Sequence, residues 1–106
     1  MSDVSWSEVE KEIARAAFEK AYEREIAVLI EEVRTQVTSL AELEDLWRLN
    51  DFLSARRHDV DGKYDYRYAV LVFVFSRLVK EGWLQIEELD GLEQTKLSKI
   101  AALSRM

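Results

Sequence analysis

The first 61 residues contain neither proline nor glycine, and this absence constrains the fold more than any other feature of the chain. Proline is missing from the whole sequence, and the first of three glycines is Gly62. These two residue types together make up roughly 12% of average proteins, so a stretch of this length normally contains several helix breakers. Long, uninterrupted helices are the expected result.

The start of the first helix is marked by Ser7 followed three residues later by Glu10, a capping-box pattern. Ser5 and Glu8 show the same pattern, which leaves the start open by about one turn. Downstream, apolar residues recur at steps of three and four and predict a core stripe or a helix–helix seam. This stripe comprises Phe18, Tyr22, Ile26, Leu29, Val33, Val37 and Leu40.

A second helix is predicted after Thr38 and Ser39, because Ser39 and Glu42 form another capping-box pattern. We expect this helix to run to about His58 and to complete a helical hairpin. Its leucines advance by three, three and four residues, and we expect them to pack against the first helix. They are Leu43, Leu46, Leu49 and Leu53.

The length of the first helix predicts a homodimer. About 30 helical residues span roughly 45 Å, whereas a compact chain of 100 residues has a radius of gyration of about 13 Å. One protomer cannot cover such a helix, and a two-fold dimer is the commonest remedy. We predict that the dimerisation residues are Leu29, Val33, Leu43 and Leu46. A kink near Ala27 that folds the chain back on itself is the alternative.

The C-terminal part is predicted to form a small helical head. Residues 59–62 suggest a turn in which Gly62 supplies a positive φ, and Asp65 is a candidate cap for the next element. The run from Tyr66 to Val79 is rich in β-branched and aromatic residues, but a lone strand has no pairing partner in so helical a chain. We therefore predict a helix, capped by Gly82.

Two further elements complete the head: a short helical turn over residues 86–92, ended by Gly91, and an amphipathic helix over residues 93–103. The predicted fold is all-α, a long helical hairpin with a small C-terminal helical head. It forms a single domain over residues 1–106, with the hairpin and dimerisation region at about 5–61 and the head at about 62–106.

The segment from Asp45 to Arg67 contains the residues best suited to recognition. Read at helical spacing, six polar and aromatic residues share one broad face. Tryptophan and arginine are the types most enriched among interface hot spots. The alternative is a half-buried core tryptophan flanked by ordinary solvated charges. The six residues are Trp47, Asn50, Asp51, Ser54, Arg57 and His58.

Composition and motifs limit the classes of function. A net charge of -6 argues against binding nucleic acid or anionic membranes, because both need a basic surface. The N-terminus lacks the apolar run of a signal peptide, and the apolar run in the head is too short to cross a bilayer, so we expect a cytoplasmic protein with no integral membrane segment. With one histidine, no cysteine and no phosphate-binding glycine loop, we predict neither an enzyme nor a metal or cofactor site. Three aspartates near Gly62 lack the spacing of a calcium loop.

The string DLWRLNDFLSARRH, followed by DGKYD, resembles the signature of the cyanobacterial fluorescence recovery protein family. The match is dense from Asp45 to Asp65, and weaker similarity continues through FVF and EELDGLEQTKLSKI to the C-terminal region. One position departs: Asn50 stands where some members carry histidine, so no imidazole is available there.

The resemblance implies a non-enzymatic regulator of photoprotection and, independently of helix length, a homodimer. Members bind the C-terminal domain of the photoactivated, red orange carotenoid protein and speed its return to the orange form, which ends phycobilisome quenching. This implies a cytoplasmic location, peripheral to the thylakoid membrane. The resemblance carries partner binding over to Trp47, Asn50, Asp51 and Arg57, with Phe73 and Lys99 as second-contact candidates on the head.

Other interpretations remain open for three of the candidate binding residues and for the function of the whole chain. Phe73 could be simple core, Lys99 an ordinary solvated residue, and Arg57 a partner of Asp51 or Glu44 in the other copy of a dimer. The chain could also be a helical dimeric scaffold or stress adaptor that uses the same face on a different client.

Overall fold

Residues 5–106 fold into four α-helices and one short 3₁₀ turn. The computed structural model describes residues 5–106; residues 1–4, which the single-domain prediction includes, lie outside the described residues. The helices are α1 (Glu8–Val37), α2 (Leu43–Lys63), α3 (Leu71–Glu81) and α4 (Gln94–Ser104), and the 3₁₀ turn covers Ile86–Leu89 between α3 and α4. No β-strand forms over these 102 residues, so the all-α prediction is confirmed.

Helix α1 begins and continues as its sequence predicts. The Ser7 hydroxyl accepts a hydrogen bond from the Glu10 amide at 3.1 Å, and the Glu10 carboxylate accepts one from the Ser7 amide at 3.0 Å. The helix runs 30 residues without interruption, so the alternative of a fold-back near Ala27 is wrong. The molecule measures 53 × 26 × 25 Å, and its radius of gyration is 16.8 Å. It is therefore longer than a compact domain of this length.

The start of α2 differs from the prediction. The Ser39–Glu42 capping box does not form, and α2 begins at Leu43 after the N-cap residue Glu42. The Asp45 carboxylate instead accepts hydrogen bonds from the Ala41 and Glu42 amides, both at 3.0 Å. An aspartate inside the first turn thus satisfies two free amides and fixes the start of the helix.

The end of α2 also differs, because the predicted turn at residues 59–62 is helical and the helix continues to Lys63. Gly62 has no positive φ. Tertiary contacts override the weak helix propensity of this stretch: Val60 is buried, and the Lys63 side chain is only 1% exposed. Lys63 Nζ lies 2.7 Å from Glu25 in α1 and 2.7 Å from Glu81 in α3.

These contacts form the Lys63 cluster, which joins three helices and comprises Glu25, Asp59, Lys63, Arg77 and Glu81. Arg77 completes it with contacts of 2.7 Å to Asp59 and 2.8 Å to Glu81. Burial opposes the charge on Lys63, but hydrogen bonds from its ammonium to Glu25 and Glu81 outweigh burial and raise the pKa of Lys63. Burial acts in the same way on Glu81, and the bonds from Lys63 and Arg77 nevertheless lower the pKa of Glu81. Lys63 and Glu81 therefore stay ionised at neutral pH.

The hydrophobic core lies in the head and in the N-terminal half of α1. Three alanines of α1, Ala14, Ala17 and Ala21, are buried and let α1 approach the head closely. The largest fully buried apolar side chains belong to the head: Leu71, Phe75, Leu78, Leu84, Leu89 and Ile100. Within the described chain, the stretch from Tyr22 to Lys63 adds no residue to this core cluster.

Residues 64–67 are irregular and residues 68–70 form a turn, so the helix predicted from Tyr66 begins only at Leu71. Three tyrosines spaced two apart pack their rings against aromatic residues at the start of the chain and on α1, which favours extended backbone over helix. Asp65 does not cap α3 but pairs with Arg67 at 2.6 Å. The predicted cap at the other end is confirmed, since Gly82 has φ 88°. The tyrosines are Tyr64, Tyr66 and Tyr68.

A buried lysine also anchors α4. Lys96 Nζ lies 2.9 Å and 3.0 Å from the two carboxylate oxygens of Glu10, and it donates to the Ser5 carbonyl at 2.7 Å. Glu10 accepts a further bond, at 2.9 Å, from the Glu93 amide just before α4. The first turn of α1 is thereby fixed to the first turn of α4.

Alanine substitutions test whether Gly62 lies in a helix, as observed, and not in a turn with positive φ, as predicted. Gly91, which does have a positive φ, serves as the comparison. Gly62→Ala places a methyl group in open space on a helix and should stabilise the protein by about 0.5–1 kcal/mol. Gly91→Ala should destabilise it by about 1–3 kcal/mol, because Gly91 has φ 108° and a Cβ there collides with Ile13. Urea unfolding of both variants checks the pair, and equal effects of the two substitutions would contradict the helical assignment of Gly62.

Lys63→Met tests the cluster that joins α1, α2 and α3. Removal of a buried cation leaves Glu25 and Glu81 without their shared partner and should cost about 3–5 kcal/mol in the free energy of unfolding. Arg34→Met breaks the exposed pair with Glu31 and should cost less than about 1 kcal/mol. The double variant Lys63→Met with Glu25→Gln should recover part of the loss in urea unfolding. Similar small losses for Lys63→Met and Arg34→Met would show that the cluster is not structural.

Candidate protein-interaction surface

The six residues predicted to share a face of α2 do so, and all of them are exposed. Trp47 is 54% exposed, so the alternative of a core tryptophan is wrong for the protomer. The Arg57 side chain is 85% exposed. We call Trp47, Asn50, Asp51, Ser54, Arg57 and His58 the Trp47 face.

The polar groups of the Trp47 face are largely free to bind another molecule. Arg57 Nε lies 3.6 Å from Asp61, an exposed pair that contributes little. Over residues 5–106, the side chains of Asn50, Asp51 and Trp47 make no hydrogen bond. An indole, a carboxamide, a carboxylate and a guanidinium are therefore presented together on a rigid helix, and little conformational entropy is lost when they bind.

The leucines of α2 do not pack against α1 as predicted. Leu43 is 61% exposed, Leu46 47% and Leu53 39%, while Leu49 is half-buried. The reason is geometric: two successive steps of three residues rotate a side chain by about 120° around the helix, so Leu43 and Leu49 cannot face the same neighbour. Leu43 and Leu46 lie beside Trp47 instead.

The hairpin therefore leaves apolar side chains exposed on both helices. On α1, the predicted dimerisation residues Leu29 and Val33 are half-buried. The structure adds residues that helical spacing did not single out as dimer contacts, each between 39% and 49% exposed. We call the following set the hairpin surface: Val28, Ile30, Val37, Leu43, Leu46 and Leu53.

The two second-contact candidates on the head are brought together. Lys99 Nζ lies 4.9 Å from the centre of the Phe73 ring, and Phe73 is 51% exposed. Both line an open groove of about 280 Å³ whose other walls include Tyr68, Val72 and Thr95. Phe73 is therefore not simple core, and its ring is stacked with a cation at the surface.

No group of three or more histidine, cysteine, aspartate or glutamate side chains among residues 5–106 is placed to hold a metal ion. Asp59 and Asp65, from the acidic stretch near Gly62, are engaged by Arg77 and Arg67. None of the helices in this range is long and apolar enough to cross a membrane.

Sequence patterns missed the two buried lysines and the role of the tyrosines. Lys63 and Lys96 were not identified because lysine is rarely buried, and only their tertiary carboxylate partners reveal them. The alternation Tyr64, Tyr66, Tyr68 was visible in the sequence and could have predicted an extended segment.

Comparison with known proteins assigns a family to this arrangement. The model of a family described as photoprotection regulator fluorescence recovery protein matches residues 6–104. The Fluorescence recovery protein of Synechocystis sp. strain PCC 6803 is 49% identical over 105 residues, which cover 99% of this chain and 96% of that protein.

Solved structures show the same fold. The structure of the Fremyella diplosiphon Fluorescence Recovery Protein superposes with a TM-score of 0.93 at 63% identity, covering 96% of this chain and 100% of that one. The corresponding structure from Synechocystis sp. PCC 6803 superposes with a TM-score of 0.92 at 50% identity and the same coverage.

Proposed function

The chain belongs to the photoprotection regulator fluorescence recovery protein family, and from this premise we propose that it binds the photoactivated, red form of the orange carotenoid protein and accelerates its return to the orange form. The family description names a regulator and no enzyme class. Acceleration through binding alone ends phycobilisome quenching without covalent chemistry. The encounter takes place at the cytoplasmic side of the thylakoid membrane.

The single observation that supports binding most strongly is the exposure of the Trp47 face. A tryptophan that is 54% exposed on a rigid helix, with free carboxylate and amide groups beside it, has the composition of an interface hot spot. Asp51 and Arg57 add opposite charges that select a complementary partner surface. We assign Trp47, Asn50, Asp51 and Arg57 to binding of the C-terminal domain of the activated client.

Acceleration requires differential binding. The regulator must hold the separated domains of its client in an arrangement closer to the transition state than the red form itself is. It must also bind the compact orange form weakly, because otherwise the product would not leave. Charges on the Trp47 face suit this discrimination, since an unmatched charge at an interface is costly to desolvate.

The head supplies a second contact. The Phe73 ring and the Lys99 ammonium form one exposed amphipathic unit beside an open groove. Two separated contacts on one regulator can grip two parts of a client whose domains have moved apart, and together they raise the effective affinity.

Homodimerisation follows from the hairpin surface. Exposed apolar residues of this size on both helices are unusual for a monomer, and the half-buried Leu29 and Val33 lie next to them along α1. A second copy that packs Leu43 and Leu46 against these residues buries the surface that the protomer leaves open.

Trp47→Ala should slow the accelerated dark recovery of the photoactivated client by about ten-fold or more, because a hot-spot side chain is removed. Loss of red absorbance follows the recovery, and circular dichroism should show unchanged helix content. Val9→Ala, which truncates a side chain that is 65% exposed at the start of α1, is the control and should leave recovery unchanged. If the wild-type chain has no effect on recovery even in excess, the client is wrong and a scaffold role on another client gains support.

Leu46→Glu should convert the dimer to a monomer, because it places a charge among apolar neighbours of the second copy. Light scattering at fixed protein concentration should report half the wild-type mass. Val9→Glu introduces the same charge at an exposed apolar position at the start of α1, far from the predicted dimer contact, and should leave the mass unchanged. An intact dimer in the Leu46 variant would place this leucine outside the dimer contact.

A further inference from the structure

An open groove of about 330 Å³ lies between α1 and the tyrosine segment, outside the Trp47 face and the Phe73–Lys99 pair. Its walls are three aromatic rings and two carboxylates: Phe18, Glu19, Tyr22, Glu23 and Tyr64. We call it the tyrosine groove.

The Tyr64 ring meets each of the other two rings of the tyrosine groove edge to face. Phe18 and Tyr64 meet edge to face at 5.4 Å and 88°, and Tyr22 and Tyr64 at 5.0 Å and 88°. Tyr64 is held in place because its hydroxyl donates to Glu25 at 2.7 Å. In an edge-to-face pair, the ring that contributes its edge keeps both of its electron-rich faces free of the other ring, and such a face can attract a cation.

Neighbouring aromatic residues already hold cations of this chain. Lys11 Nζ lies 5.5 Å from the centre of the Tyr68 ring, and the Arg15 guanidinium lies 4.6 Å from that of Tyr66. Lys11 and Arg15 are four residues apart and so share one ridge of α1. The chain thus stacks a basic side chain on each of two successive tyrosines of the segment.

The charge along this ridge of α1 changes from positive to negative at the tyrosine groove. The next two residues at steps of four are Glu19 and Glu23. Glu19 has one loose, exposed contact, with Arg15 at 3.8 Å. Lys63 lies 5.7 Å from the Tyr64 ring centre, but its side chain is only 1% exposed and its charge is taken by Glu25 and Glu81. The open side of the groove therefore combines aromatic faces with unneutralised negative charge.

We propose that the tyrosine groove receives a lysine or arginine side chain of the protein client, held by the rings of Phe18, Tyr22 and Tyr64 and by the carboxylates of Glu19 and Glu23. Charge complementarity identifies the occupant as a cation, and the resident pairs on Tyr66 and Tyr68 show that basic side chains fit this aromatic surface. The inference deepens the proposed function and rests on it for the identity of the client.

The tyrosine groove lies near one residue of the Trp47 face, Arg57. Tyr22 also lines a second groove, whose other walls include Leu53, Arg57 and Asp61. In this arrangement the tyrosine groove binds a basic side chain of the client, and Arg57 nearby binds an acidic one.

Paired substitutions measured by isothermal titration with the activated client test the proposal. Tyr22→Leu removes a ring face but keeps apolar bulk, and it should weaken binding about five-fold more than Tyr22→Phe, which keeps the ring. Glu23→Gln should weaken binding about five-fold and reduce its salt dependence. Glu12→Gln removes one exposed charge of the same helix away from the groove and should leave affinity unchanged. Equal affinities for Glu23→Gln and Glu12→Gln would overturn the proposal.

A second measurement separates failure of the groove from failure of the client assignment. N-acetyl-arginine methylamide, added up to about 100 mM, should shift the ring signals of Tyr22 and Tyr64 in NMR spectra, and the uncharged citrulline analogue should not. If wild-type protein does not bind the client while these shifts occur, the client is wrong and the cation site stands. Absence of the shifts would overturn the cation site. If Tyr22→Leu changes the monomer–dimer equilibrium and not client affinity, the occupant is a second copy and the proposal is wrong.

Discussion

The apolar core of the protomer ends at Ala21, although α1 continues for four more turns to Val37. Up to Ala21, the alanines of α1 pack on a head built around Phe75 and Leu78. Beyond it, the side-chain hydrogen bonds that join α1 to α2 are ion pairs, Lys63 with Glu25 and Arg56 with Glu32, both at 2.7 Å. Ion pairs fix geometry but supply little net stability once desolvation is counted. The two helices of the hairpin are thus held in a defined geometry, but their apolar side chains are not buried in the protomer. The proposed dimer and the proposed binding of the client both depend on this exposure.

The same imbalance explains how one short chain can present several binding surfaces. Because the head holds its own core, the hairpin does not need its leucines for folding and leaves Leu43, Leu46 and Trp47 at the surface. The Lys63 cluster fixes the end of α2 against α1 and α3, so Arg57 has a defined position relative to Tyr22 and the tyrosine segment. A rigid arrangement of charge and aromatic rings can discriminate between two conformations of one client, which a flexible surface cannot do as well.

Sequence reasoning recovered the elements that local patterns determine. The capping box of α1 and the Gly82 cap each depend on residues within about one turn, and the uninterrupted length of α1 depends on the absence of proline and glycine; all three are confirmed. The exposed Trp47 face was also predictable, since it needs only helical spacing. The end of α2 was not predictable, because Gly62 is kept helical by tertiary partners of Lys63 that lie 38 and 18 residues away. The late start of α3 has a similar origin in tyrosine contacts with α1.

Hydrogen exchange at two protein concentrations tests whether a second copy completes the hairpin, while the head, packed on the N-terminal half of α1, is stable within a single protomer. Above the dissociation constant of the dimer, amides of both regions should be protected. On dilution below it, the account predicts that amides from Val28 to Leu53 lose protection while those from Leu71 to Leu78 keep theirs. Protection of the hairpin that does not change with concentration would contradict the account, because it would mean that a single protomer stabilises the hairpin by itself.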